Sequence, residues 1–155
     1  MIRQLQPYHA NIAKRQVKSP KVYVRDSGLL HQLLGIGSEK ELLSHPKLGA
    51  SWEGFVIEQL LALLQPDEAY FWATHQGAEV DLVLRREGRL FGIECKRTDN
   101  PRMTPSIRIA LEDLGLEKVA VIYPGRKRFP IVPGVEALPV SSLGNGEDPF
   151  GETEA

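Results

Sequence analysis

The sequence predicts an α/β fold in which a mixed sheet is flanked by helices, with a core order of helix, three strands, helix and strand. Three observations carry that expectation. Residues from about 50 to 64 repeat apolar side chains at helical spacing. Residues 77–96, GAEVDLVLRREGRLFGIECK, alternate in two arms about a short turn. Residues 118–123, KVAVIY, form a nearly continuous apolar run after a second helical segment.

The chain opens with short apolar pieces broken by Pro7 and Pro20 and without a hydrophobic partner of their own, so residues 1–35 are expected to be a basic leader, the remnant of a preceding module. Residues 21–25 alternate as a short strand. Asp26 or Ser27 can cap a helix containing Leu29, Leu30, Leu33 and Leu34, stopped by Gly35 and Gly37, and a second short helix follows Ser38. Pro46 and Gly49 punctuate before the main helix, whose stripe is Trp52, Val56, Leu60 and Leu63, widened by Ile57, Leu61 and Leu64. Glu53 lies on that apolar face, since Val56, Ile57 and Leu60 follow it by three, four and seven residues. An acid there needs a partner or the favour of the helix dipole. Glu58, roughly 140° further round, reads as a solvated surface charge.

Residues 69–74, AYFWAT, are a strand expected beside the hairpin, giving a three-stranded meander. In the hairpin, Val80, Leu82 and Leu84 fall on one side of the first arm and Glu79, Asp81, Val83 and Arg85 on the other. The second arm sets Phe91, Ile93 and Cys95 against Leu90, Gly92, Glu94 and Lys96. A two-residue turn at Glu87 and Gly88 places Arg86 opposite Arg89, and the register then sets Asp81 against Glu94 and Glu79 against Lys96. Thr104 or Ser106 starts a helix ended by Gly115, so strand 89–96, helix 104–114 and strand 118–123 make a right-handed β-α-β unit. Residues 131–132 and 135–140 are expected as short edge strands, because Pro130, Pro133 and Pro139 argue against central positions.

Composition bounds the rest. A chain of 155 residues with 42% apolar and 25% charged side chains can bury a core, and it has neither an apolar run of bilayer length nor a signal-peptide pattern, so the expectation is a cytoplasmic protein away from membranes. The single Cys95 permits no intrachain disulfide, and His9, His31, His45 and His75 lack metal-ligand spacing. The net charge of -1 hides an uneven distribution. Residues 1–26 carry six basic side chains against Asp26 alone, which makes Lys14, Arg15, Lys18 and Lys21 candidate phosphate contacts. Residues 144–155 hold Glu147, Asp148, Glu152 and Glu154 without a base and read as a disordered acidic tail, leaving 36–143 as the main domain.

Opposed carboxylates at Asp81 and Glu94, with Cβ atoms about 5 Å apart, repel unless a cation or proton lies between them. Hard oxygen ligands suit Mg²⁺ or Mn²⁺, Gly92 leaves space on the same face, and Lys96 points toward the same place. The same spacing also fits a charge ladder on a solvated sheet face.

The constellation Glu53, Asp81 and Glu94-Cys95-Lys96 resembles the PD-(D/E)XK nuclease signature, and its restriction-endonuclease-like fold has this α-β-β-β-α-β order. The runs KSPKVYVRDSGLL, GASWEGFVIEQLL, GAEVDLVL and GIECK together resemble the C-terminal domain that follows the ATPase module in many prokaryotic AAA-type ATPases. The resemblance implies that Asp81, Glu94 and the Cys95 carbonyl hold Mg²⁺ or Mn²⁺. It further implies that Glu53 supports an outer or second metal, and that Lys96 orients water for metal-assisted phosphodiester hydrolysis of DNA. Two departures stand out: Val80 replaces the motif's proline, and no G-x-x-x-x-G-K-[ST] occurs, so the chain has no P-loop for ATP. The expectation is a fragment, a truncated product or a stand-alone relative. Two functions are open: a metal-dependent nuclease, or a catalytically silent nuclease-like module that binds or regulates an ATPase or another protein. Intact Glu53, Asp81, Glu94 and Lys96 favour the first, which is the leading expectation; the pI of about 6.4 leans mildly toward the second, and the sequence does not disclose the oligomeric state.

Overall fold

A computed structural model describes residues 1–11, 13–14 and 16–151. The central sheet has six strands in the order β3-β4-β5-β6-β8-β7. Helix α3 (Leu48–Leu64) precedes β3 (Glu68–Ala73), β4 (Glu79–Arg86) and β5 (Arg89–Cys95); α4 (Pro105–Leu114) then crosses to β6 (Lys118–Tyr123), and β7 (Phe129–Val132), β8 (Val135–Pro139) and α5 (Val140–Gly144) complete the main body. Strands β3, β4 and β5 run antiparallel, as a meander should, whereas β5, β6 and β8 are parallel and β7 returns antiparallel to β8. The expected mixed sheet and the helix-and-strand order are therefore present.

Local chemistry accounts for the boundaries. Thr104 Oγ1 accepts from the Ile107 amide at 3.3 Å to start α4, Pro105 occupies its first turn, and Gly115 ends it in the left-handed region at φ 61°. Glu87 and Gly88 adopt φ of 50° and 75°, the double positive φ of a tight hairpin turn, and Arg86 pairs with Arg89 as the turn length requires.

Two apolar layers sandwich the sheet. On one side Val56, Ile57 and Leu60 of α3 pack on Phe71, Leu82, Leu84, Phe91, Ile93 and Ile122; on the other, Ile107, Ala110 and Leu114 of α4 pack on Trp72, Val80, Val83, Val119 and Val121. Strict alternation along β4 would put Val80 with Leu82 and Leu84, but it lies in the α4 layer. The cause is a bulge: Tyr70 pairs with Val83 and Trp72 with Val80, so two steps along β3 match three along β4. The extra residue falls at Asp81 and Leu82. Gly92, expected to leave room for a cation, instead makes room for apolar packing, since a Cβ there would stand 2.8 Å from Leu116 Cδ1 and 3.2 Å from Val119 Cγ2.

The leader lies against this body. Strand β1 (Ile2–Leu5), which the sequence did not signal, pairs antiparallel with β2 (Lys21–Val24). Next come α1 (Ser27–Leu33), capped by Asp26 accepting from the Leu29 amide at 2.9 Å, and α2 (Glu39–Ser44), capped by Ser38. Leu5 enters the α3-side layer, and the segment after β1 closes the free edge of β3: the Tyr8 amide donates to Phe71 O at 2.6 Å, and the Val17 amide donates to Ala73 O at 2.9 Å.

Two other expectations differ. β8 is an interior strand between β6 and β7, which Pro139 tolerates because it is the strand's last residue; Pro130 does sit on the edge strand β7. Residues 147–151 are docked, not a loose tail: Phe150 stacks on Phe91 with ring centroids 4.6 Å apart, Asp148 pairs with Arg86 at 2.9 Å, and Glu147 pairs with Arg128 at 2.8 Å. Tail acids Glu152 and Glu154 lie outside the described residues. If Phe150 anchors this segment, Phe150→Ala should lower unfolding free energy by about 3 kcal/mol in urea titrations, whereas an unanchored tail predicts no change.

A lysine-filled acidic pocket as candidate functional site

Three elements bring acids and bases to one end of the sheet. Glu53 comes from the second turn of α3, Glu79 and Asp81 from β4 with Asp81 in the bulge itself, Glu94 and Cys95 from the end of β5, and Lys96 directly follows. The β4–β5 ladder ends at Leu82 and Ile93, one step before the expected Asp81–Glu94 pair. With no backbone partner beyond that point, the Cys95 amide donates to Asp81 Oδ2 at 2.8 Å, which ties the Asp81 carboxyl to the end of β5. The Lys96 amide donates to Ile122 O at 2.9 Å, so the backbone carrying Glu94 and Lys96 is fixed by β6.

The cross-strand pairing expected between Glu79 and Lys96 is replaced by another. Lys96 Nζ lies 2.5 Å from Glu94 Oε1, and Glu79 accepts from Lys21. Lys21 is at the centre: its ammonium donates to Glu53 Oε1 at 3.0 Å and to Glu79, stands 3.9 Å from Asp81 Oδ1, and lies 5.2 Å from the centroid of the Phe71 ring. Tyr23, two residues along β2 and so on the same face, donates its hydroxyl to the same Glu53 oxygen. Gly54 lets that ring lie against α3, since a Cβ there would stand 3.1 Å from Tyr23 Cδ1. Of the predicted residues, Glu53 and Asp81 thus face the Lys21 ammonium, while Glu94 and Lys96 pair with each other on either side of the Cys95 whose amide holds Asp81. Lys21, weighed from the sequence only as a phosphate contact, turns inward, and Tyr23 was not singled out; the Lys-x-Tyr alternation inside a strand was the available signal.

Burial sets the proton affinities. Asp81 is pushed up to about 8, by desolvation first and then by the charges of Glu94 and Glu53, against the Cys95 amide and Lys21. Glu94 is also raised by burial, an effect resisted by Lys96. Burial works against the Lys21 charge, but hydrogen bonds and charges from Glu79 and Glu53 hold it above the ordinary lysine range. Burial and then Glu53 raise the Tyr23 phenol, and burial raises the Cys95 thiol, which packs into the α3-side layer as a small apolar group. Among these side chains Glu94 Oε2 is stranded, buried without a partner on a residue only 5% exposed.

As arranged, these donors do not enclose a divalent ion. The Lys21 ammonium stands where Glu53, Glu79 and Asp81 converge, one Asp81 oxygen is engaged by the Cys95 amide, and among the described residues no group of three or more His, Cys, Asp or Glu side chains is disposed to hold a metal. Three of the leader's other bases are similarly occupied. Arg3 and Arg25 converge on Glu58, at 2.5 Å and 2.9 Å, so Glu58 is shielded beneath them and not solvated as its place on the helix suggested; Lys14 pairs with Asp113 at 2.8 Å. Lys18 is exposed, and Arg15 lies outside the described residues.

Comparison with known proteins gives a family and relatives but no solved counterpart. The family described as Domain of unknown function (DUF4143) matches residues 48–143, and the one described as Domain of unknown function (DUF8612) matches residues 1–40. The uncharacterized protein Rv2008c of Mycobacterium tuberculosis and the uncharacterized protein Mb2031c of Mycobacterium bovis are each 53% identical over 143 residues, 92% of this chain. The chain spans 32% of the length of these curated relatives. No solved structure matches. No helix among the described residues is long and apolar enough to cross a membrane.

The raised Asp81 and Glu94 give a signed pH dependence. The folded state binds more protons than the unfolded chain between the ordinary carboxylate range and about pH 8, so stability falls as pH rises through that window. The melting temperature should therefore decline from about pH 5 to about pH 8 in the native protein, and Asp81→Asn should flatten the decline. An equal decline in the variant would show that Asp81 is not the buried proton carrier.

Proposed function

The chain belongs to the family described as Domain of unknown function (DUF4143), and we propose that it serves as a nuclease-like α/β module that binds or regulates a partner, its acidic pocket held shut by its own lysine. The observation that carries this reading is the Lys21 ammonium lodged among Glu53, Glu79 and Asp81. A site set for phosphodiester hydrolysis must leave that place to its electrophile. Charge distribution supports the same reading, because Arg3, Lys14, Lys21 and Arg25 are engaged by carboxylates of the chain and do not form a free phosphate-facing stripe. The partner class is protein, and an ATPase module within a longer chain is the form of it that the sequence resemblance suggests.

The second reading is Mg²⁺- or Mn²⁺-dependent cleavage of DNA with Glu53, Asp81, Glu94 and Lys96 at the centre. It is favoured by the stranded Glu94 Oε2, an acceptor that nothing in the closed pocket uses. Incubation with supercoiled, linear and single-stranded DNA in Mg²⁺ and in Mn²⁺, beside Lys96→Ala, separates the two. The native protein should cut no faster than Lys96→Ala. Metal-dependent cleavage present in the native protein and lost in Lys96→Ala would overturn the silent-module reading in favour of the nuclease.

A further inference from the structure

Four carboxyl groups, Glu53, Glu79, Asp81 and Glu94, share this pocket with two ammonium groups. Lys96 is committed to Glu94 at 2.5 Å, so Lys21 is the ammonium that faces the other three, two of which, Glu53 and Glu79, take hydrogen bonds from it. One acceptor is still unused: Glu94 Oε2 is buried and unpartnered, on the residue before the Cys95 whose amide holds Asp81. A lysine ammonium is a compact point charge with three donors, and here it stands at 3.0 Å from Glu53 and 3.9 Å from Asp81. A divalent cation in its place would carry twice the charge, beside a strand end where one buried carboxylate oxygen still lacks a partner.

We propose that Lys21 is a built-in counter-cation which shuts the acidic pocket against divalent ions, so that the lysine and a metal compete for the same carboxylates. The β1–β2 hairpin is the element that delivers it. A two-stranded sheet is marginal alone; this one is held by the buried Leu5, by the backbone bonds of the segment after β1 to β3, and at two acids of α3, where Lys21 and Tyr23 hold Glu53 while Arg3 and Arg25 hold Glu58. Its outer face is thinly covered, with Ile2 65% and Val22 58% exposed. Seating the hairpin therefore closes the pocket, and lifting it uncovers three acids that demand another cation. This rests on the reading that the chain fills its own pocket, and it adds the means by which a partner engaging the hairpin would open it.

The test is Mn²⁺ titration by calorimetry, with thermal melts in EDTA and in Mn²⁺, on the native chain, Lys21→Met, Lys21→Arg and the double variant Lys21→Met/Asp81→Asn. Lys21→Met should bind Mn²⁺ at least roughly tenfold more tightly than the native chain, because the competing charge is gone. It should also melt roughly 10 °C lower in EDTA and regain most of that loss in Mn²⁺. Lys21→Arg should stay closed to metal, and the double variant should lose the gained affinity. Lys21→Met that folds but binds Mn²⁺ no better than the native chain overturns the proposal. If Lys21→Met is unfolded in EDTA, folding recovered by Mn²⁺ supports it and a chain unfolded in both conditions overturns it. Metal-dependent DNA cleavage by the native chain would defeat the silent-module reading, yet the ratio of Mn²⁺ affinities between Lys21→Met and the native chain would still decide whether Lys21 competes with metal.

Discussion

The structure turns on an imbalance of charge in a place with little water. Carboxyls from α3, β4 and β5 meet beside the apolar layer under α3, and each must be protonated, hydrogen-bonded or faced by a cation to remain there. Each solution is in use. Asp81 takes a backbone amide and is pushed by burial toward its protonated form, Glu94 takes Lys96, and Glu53 and Glu79 take Lys21, with Tyr23 as a further donor to Glu53. The same contacts determine where the N-terminal strands go. A solvent-exposed ion pair contributes at most about 1 kcal/mol, but removing one member of a buried pair costs about 3–5 kcal/mol, because the other is left uncompensated. Partly buried Lys21 falls between those limits, and it serves several acids at once.

The sheet makes the convergence possible through one irregularity. Without the bulge in β4, Asp81 and Leu82 would face opposite sides, and an Asp81 directed at the α4 layer would meet Val83, Val119 and Val121. The added residue lets Leu82 remain in the α3-side layer while Asp81 reaches both Lys21 and the Cys95 amide. It also moves Val80 to the α4 side, where it fills space beside Gly92. Position and packing are thus set by the same local departure from regular pairing.

Local rules read well from this sequence, and partner-dependent ones did not. The Glu87-Gly88 turn, the Asp26, Ser38 and Thr104 caps, the α3 stripe and the buried run of β6 depend on neighbours within a few residues, and each is visible in the chain. The bulge is different, since it exists only in the pairing of β4 with β3. Glu58 looked solvated because nothing near it in sequence discloses Arg3, 55 residues away, and Lys21 looked free because its acids are 32 and 58 residues distant. The tail followed the same logic: its composition is acidic and glycine-rich, but one aromatic ring, Phe150, finds Phe91, and Arg86 and Arg128 neutralise two of its acids. For the site, residue types and approximate convergence were legible from Glu53, Asp81, Glu94 and Lys96; the ion that compensates them was not.

That difference bears on which partner the module suits. Counted along the sequence, the leader's bases resemble a phosphate-binding stripe, yet in the fold each of Arg3, Lys14, Lys21 and Arg25 already has a carboxylate within 3.0 Å. A nucleic acid recruited through them would have to break those pairs and leave Glu58, Asp113 and Glu53 facing a polyanion, which adds repulsion to the loss of the pair. A protein surface can avoid that cost by exchanging one ion pair for another of the same sign, base for base, and by covering the exposed Ile2 and Val22 on the hairpin's outer face. The proposed closed pocket and the protein-partner reading therefore have a common origin: four charges that look available in the sequence, those of Arg3, Lys14, Lys21 and Arg25, are already spent within the fold.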